Sequence, residues 1–207
     1  YILQLLEGVT SDTYKVRLKD SSELINYSYK VAGTVGIIMC NILEAKNNTA
    51  YNFAVDLGIA FQLTNIARDI TSDAKLGRIY IPKSWLKIEP DQVLNISKKN
   101  KIKVNVATKK LLDLADLYYS SAILGLRFLP HRSRISVLIA LSVYRKIGIK
   151  IKNNNYDSLD RRQTVSFGEK LYIAFSMIII YPFYNIIHNN NYKHNRKLHT
   201  LLKKSIL

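Results

Sequence analysis

Residues Asp56–Pro82 read DLGIAFQLTNIARDITSDAKLGRIYIP, and a helical period runs through most of them. Gly58, Gln62, Asn65, Asp69 and Asp73 follow one another at spacings of four, three, four and four, so on a helix they form one stripe. Leu57, Phe61, Leu63, Ile66 and Ile70 surround that stripe. A helix that is apolar round most of its circumference is buried. The polar groups it carries then need partners. Asp69 and Asp73 form D-x-x-x-D, two carboxylates one helical turn apart that can reach the same hard cation. Carboxylate and water oxygens suit Mg²⁺, which keeps part of its hydration shell and bridges to substrate phosphates. Asn65 adds a neutral oxygen on the same face. Arg68, Lys75 and Arg78 lie nearby in sequence and can neutralise phosphate charge. The acidic pair alone also reads as a solvated helix face. The full run, followed by Gly77-Arg78-x-Tyr80-x-Pro82, is far more specific.

Outward from this stretch the chain keeps its helical period, and strand alternation is scarce. Asp20 with Glu23 makes a capping box, predicting a helix over 22–45. Asn48 or Thr49 caps a second helix over 50–71. Gly77, Pro82 and Pro90 predict a structured loop over 72–90. Further helices are expected over 103–129, stopping before Pro130, over 131–152, and over 166–187. The expected fold is an all-α bundle with short connections. Residues 171–187 carry no charge, at the short limit for a membrane span of ~20 residues. Interrupted by Pro182 and Asn185, they read as a buried core helix, with membrane-surface contact as the alternative. Residues 188–207 read as a basic, solvated tail.

The chain has 207 residues, a formal net charge of +16 and a single cysteine. One cysteine excludes a disulfide framework and a cysteine-based zinc site. The charge favours an anionic partner: nucleic acid, an acidic membrane surface or a phosphorylated substrate. Basic residues are scattered, clustering only over Lys98–Lys103, and no RNA-binding signature is present, so nucleic acid is not expected. The chain opens on Tyr1 with the apolar run YILQLLEGV and no helix start signal, so an upstream part is expected to be missing. No secretory signal is visible, and a cytoplasmic protein is expected, with peripheral contact at the inner membrane face.

NIARDITSDAKLGRIYIP resembles the second aspartate-rich motif of the squalene/phytoene synthase family, the head-to-head prenyl synthases. YSYKVAGTVG (Tyr27–Gly36) resembles that family's other signature, and LLEGVTSD (Leu5–Asp12) the segment before it. ADLYYSSAILGLRFLP and the stretch from Val143-Tyr144 to YDSLDRRQTV resemble its later helices. The likeness extends to about Lys170 and is nearest to the bacterial phytoene-forming members. It implies an isoprenoid-synthase-type helical bundle around a central cavity, here over 1–187 and without its N-terminal helices. It implies Mg²⁺-dependent condensation of two prenyl diphosphates, geranylgeranyl diphosphate for phytoene, through a cyclopropylcarbinyl diphosphate. The C30 reaction on farnesyl diphosphate, giving squalene or dehydrosqualene, is the variant. A non-catalytic relative acting in assembly is the reading from another class.

The resemblance also implies roles. Asp69 and Asp73, with Asn65, would hold the metal, and Tyr27 and Tyr144 would act near the diphosphates. Gln62, Asn65, Arg68, Arg78 and Arg162 would contact substrate, Arg161 being the alternative to Arg162. Val31, Gly36, Ala54 and Gly58 are expected along the prenyl channel. Ionising an allylic diphosphate needs cations for the leaving group and a dry aromatic wall for the carbocation. Tyr27, Tyr29 and Tyr144 could supply π faces, with ordinary core packing the alternative for Tyr27 and Tyr144. The small residues, Gly33 included, could admit prenyl tails, or serve close helix packing.

The family's first aspartate-rich motif has no counterpart here, since Asp113 and Asp116 are wrongly spaced, so the chain is expected to be inactive alone. Ser72 stands where an acidic residue is common and Ala67 where a bulkier one is usual. His188, His194 and His199 lie in a polar tail with no acidic residue near them in sequence, and no metal is expected there. Cys40 reads as inert core.

Overall fold

The computed structural model describes residues 1–45, 47–187 and 193–202, with residues 183–187 described by backbone alone. Helices α1 (Ile2–Ser11), α2 (Ser21–Ser28), α3 (Thr34–Ile42), α4 (Ala50–Arg68), α5 (Ile70–Lys75), α6 (Pro90–Leu94), α7 (Lys98–Gly125), α8 (His131–Asn153) and α9 (Phe167–Ile187) build an all-α bundle. The only β pairing among the described residues is an isolated parallel bridge between Arg17 and Ile79.

The Asp20 cap forms as expected: its side chain accepts from the Glu23 N–H. The helix it starts is interrupted by one π-helical segment, Tyr29–Gly33, and then continues as α3. Such insertions cluster at functional sites. Ser97 caps α7, which begins five residues earlier than the sequence predicts. The loop expected over 72–90 begins inside α5 and leads into α6, capped by Glu89 with Pro90 at its start.

Helix α4 is the axis of the bundle. It packs against α7, α3, α8 and the π segment. Ile59, Ala60, Leu63, Ile66 and Ala67 are all buried, as the apolar pattern round the helix requires. The predicted single helix over 50–71 is broken at Asp69, whose backbone (φ −104°, ψ 16°) leaves the helical region before α5 resumes. Backbone bonds from Asp69 to Asn65 and from Asp73 to Asp69 still span the break, so it is a kink.

Two expectations are corrected. Residues 167–187 do form a helix, but not a buried one. Ile173, Met177 and Tyr181, four residues apart, face the bundle. Phe167, Leu171, Tyr172, Phe175, Ile178 and Ile179 are exposed. The tail is not simply solvated either. Residues 193–202 fold back: Tyr118 Oη donates to the Leu198 carbonyl at 2.8 Å, and Ser22 Oγ and Asn26 Nδ2 each donate to the Leu201 carbonyl at 3.0 Å. His188 lies outside the described residues, as do the rest of 188–192 and 203–207.

Close packing fixes two glycines. A Cβ on Gly58 would lie 2.3 Å from the Ala32 carbonyl oxygen, and one on Gly36 would lie 2.3 Å from that of Ala54. Neither partner is a flexible side chain, so backbone would have to move. Gly58→Ala is therefore expected to destabilise the fold by about 2 kcal/mol or more. Gly168→Ala in α9, which meets nothing within 4 Å, is expected to be neutral or slightly stabilising. Urea unfolding compares them; equal midpoints for Gly58→Ala and wild type would contradict this packing.

Candidate active site

Helix α4 presents Gln62 and Asn65 from its last turns, the kink presents Asp69, and α5 presents Asp73. The Asp69 side chain is 17% exposed and accepts from Arg68 Nε at 2.9 Å, Arg68 Nη2 at 2.5 Å and Arg162 Nε at 2.7 Å. Arg162 comes from the α8–α9 connection. That connection is held by Thr71 Oγ1 donating to the Leu159 carbonyl, and by Lys101 paired with Asp157 and Asp160.

Burial alone would raise the Asp69 carboxyl, but the hydrogen bonds from Arg68 and Arg162 outweigh it and hold it below the usual carboxylate range. Asp73 goes the other way. Burial, then the neighbouring negative charge of Asp69, push it up to about 7, only partly countered by Arg78 and Arg68. The pair is thus short of positive charge at Asp73. Asn65 donates weakly to Gln62 Oε1 at 3.5 Å, while its own Oδ1 is buried without a partner. Two carboxylates and one amide oxygen are an all-oxygen donor set, which fits a hard divalent cation.

A cavity of about 410 Å³ runs beside α4 from Ala50 to Asn65, about 22 Å of helix. Val31, Gly36, Ala54, Gly58, Gln62, Asn65 and Tyr144 all line it, together with Cys40, Phe53, Leu57 and Phe61. It is polar at the Gln62–Asn65 end, beside the kink, and apolar beyond. Gly36 and Gly58 therefore answer both alternatives: their missing side chains let the helices meet, and they also border the channel. Tyr144 stacks on Phe61 with ring centroids 4.1 Å apart, giving the polar end an aromatic wall. Burial raises the Cys40 thiol to about 11, which keeps it unreactive.

Tyr27 and Tyr29 are not in that wall. Tyr29 is buried and donates to Gln4 Oε1 at 3.1 Å. Tyr27 Oη lies 3.0 Å from both oxygens of Asp12, and Tyr80 Oη lies 2.9 Å from Oδ1; the two rings stack at 4.9 Å. Burial keeps both hydroxyls protonated, Tyr80 at about 12. Asp12 and Tyr80 were not among the expected site residues, although each ends or sits within a quoted motif. Arg78 borders a second, open groove together with Asp12, Lys15, Arg17 and Lys83. Lys75 is exposed.

The squalene/phytoene synthase family matches residues 1–169. A 15-cis-phytoene synthase of Pantoea ananas is 40% identical over 172 residues, covering 83% of this chain and 56% of that protein. Phytoene synthase 2, chloroplastic, of Solanum lycopersicum is 35% identical over 190 residues, covering 86% and 61%. The chain thus spans little more than half the length of the bacterial relative. Among solved structures, a dehydrosqualene synthase in complex with ligand superposes with a TM-score of 0.75 at 22% identity, over 88% of this chain and 65% of that one. It shares the bundle, so the all-helical isoprenoid-synthase expectation holds. With the two signature stretches converging on one polar-tipped apolar channel and the family match running through most of the chain, this protein belongs to the squalene/phytoene synthase family.

Proposed function

We propose that this chain carries the metal–diphosphate half of a prenyltransferase that joins two geranylgeranyl diphosphates head-to-head to phytoene, through a cyclopropylcarbinyl diphosphate. The observation behind this reading is that Gln62 and Asn65 form the polar end of an otherwise apolar channel, and that α4 runs on from them into the kink at Asp69 and then Asp73. The phytoene synthases among its relatives support the C40 product. The C30 reaction on farnesyl diphosphate differs in tail length.

Asp69, Asp73 and the Asn65 oxygen would hold Mg²⁺, which when bound supplies positive charge to a departing diphosphate. Arg68 and Arg162, now on Asp69, are the chain's own cations at that point and would share the same anion. Gln62 and Asn65 orient the head group by hydrogen bonds. Leu57, Phe61 and Tyr144 exclude water along the tail, where it would quench a carbocation, and the stacked Phe61 and Tyr144 rings offer π faces to it. Tyr27 and Tyr80 act on Asp12, holding that carboxylate in place beside α5. Asp69/Asp73 is the only D-x-x-x-D of the sequence. A second acidic motif is therefore needed to face it, and this chain alone is proposed to be inactive.

No helix among the described residues is long and apolar enough to cross a membrane. The exposed apolar face of α9, on a chain of net charge +16, supports peripheral contact with an anionic membrane.

Three measurements test this reading. A protein comprising this chain and the facing acidic motif should give a C40 hydrocarbon from labelled geranylgeranyl diphosphate with Mg²⁺. Asp69→Asn or Asp73→Asn should each lower turnover by at least about 100-fold, and near-normal rates in both would refute the assignment; a C30 product from farnesyl diphosphate alone would shift it to the shorter substrate. Because Asp73 holds its proton until about pH 7, a proton competes with the cation below that. Calorimetric Mg²⁺ affinity should rise from pH 6 to pH 8, and Asp73→Asn should flatten the rise. Finally, co-sedimentation with phosphatidylserine-containing vesicles should be strong at low salt, and lost in Phe175→Asp with Ile179→Asp; equal binding by that variant would reject α9 as the contact face.

A further inference from the structure

Asp56 lies on α4, outside the cavity lining, and has no exposed surface. A carboxylate removed from water needs positive charge or several donors close by. Two histidines of the C-terminal segment face it. His194 Nε2 lies 2.8 Å from Oδ2, and His199 Nε2 lies 2.8 Å from Oδ1. Both imidazoles are 5% exposed. Their ring centroids are 4.5 Å apart, and the Phe53 ring stands edge-on to His194 at 5.1 Å. The three ligand atoms all lie within 4.8 Å of one another. The expectation that these histidines lack acidic company thus fails, because that company comes from a residue 138 positions away.

We propose that Asp56, His194 and His199 form a binding site for one divalent cation of the zinc class, which clamps residues 193–202 onto α4. Two imidazole nitrogens and one carboxylate oxygen suit zinc, usually with water in a fourth position, whereas the all-oxygen set at Asp69 and Asp73 suits harder ions. The two sites are separate: Asp69 lies thirteen positions beyond Asp56 along α4, about 20 Å. The ligands stand on a docked segment, held independently through the Leu198 and Leu201 carbonyls. Nitrogen and oxygen atoms at 2.8 Å are at hydrogen-bond distance. A tetrahedral ion with bonds of about 2.0–2.1 Å would hold them about 3.3 Å apart, an opening of roughly half an ångström. The ring protons now shared with the carboxylate then move to Nδ1. His194 Nδ1 is buried and makes no hydrogen bond among the described residues, so that shift breaks none. The ion's positive charge then neutralises Asp56. This proposal stands apart from the prenyltransferase reading.

Chelator-stripped protein titrated with Zn²⁺ against a chromophoric competitor should bind one ion per chain with a dissociation constant below about 1 µM. Asp69→Asn with Asp73→Asn should keep that binding, and His194→Ala with His199→Ala should weaken it at least about 100-fold. Zn²⁺ should raise the thermal midpoint of wild type and not of the histidine variant. Should the histidine variant not fold, Co²⁺ added to wild type must give the intense visible bands of a tetrahedral nitrogen–oxygen site. Absence of sub-micromolar zinc binding, equal binding by a folded histidine variant, or a Co²⁺ spectrum without those bands would overturn the proposal and leave a hydrogen-bonded staple.

Discussion

Helix α4 is buried on nearly every side, so each charged or amide group it carries must be matched by something brought to it. Three such groups organise the molecule. Asp56 draws the C-terminal segment back through two histidines. Asp69 draws Arg162 in from the α8–α9 connection and turns Arg68 beside it. Asn65 keeps a buried oxygen with no partner, and beyond it, across the kink, burial and Asp69 push the Asp73 carboxyl up to about 7. The first two demands are met within the protein. The third is met only in part, and it is there that the proposed cation and its anion would sit. Unsatisfied buried polarity of this kind is costly in a structural helix and is kept where chemistry needs it.

An unbroken helix would set Asp69 and Asp73 on one stripe with the apolar core on both sides. Turning the backbone at Asp69 makes that residue the end of α4, where Arg68 and Arg162 reach it, while Asp73 starts from a new helix. The cavity shows the same division of labour along its length. The polar end is short, and small residues such as Gly36 and Gly58 bring α3 and the π segment close to α4 further along.

Much of this was legible in the sequence. The period through Asp56–Asp73 placed Gly58, Gln62 and Asn65 on one side, and all three line the cavity. Ala54, Val31, Gly36 and Tyr144 join them, as the family resemblance implied. What stayed hidden depended on contacts between distant positions. Tyr27 read as cavity wall or core and Tyr29 as cavity wall, and only packing could assign them to Asp12 and Gln4. The uncharged run of α9 read as core because composition does not say which face has a neighbour. His194 and His199 looked unaccompanied because their carboxylate lies on another helix. The kink at Asp69 involves no Gly or Pro, so no local signal announces it.

The central claim is that the acidic kink and the apolar channel form one substrate site. A crystal structure with Mg²⁺ and an unreactive thiolo analogue of geranylgeranyl diphosphate tests it most directly. The account predicts metal about 2.1 Å from oxygens of Asp69 and Asp73, with the tail lying along α4 past Gly58 towards Gly36. Metal and diphosphate bound without either carboxylate, or a tail lodged outside that channel, would contradict it.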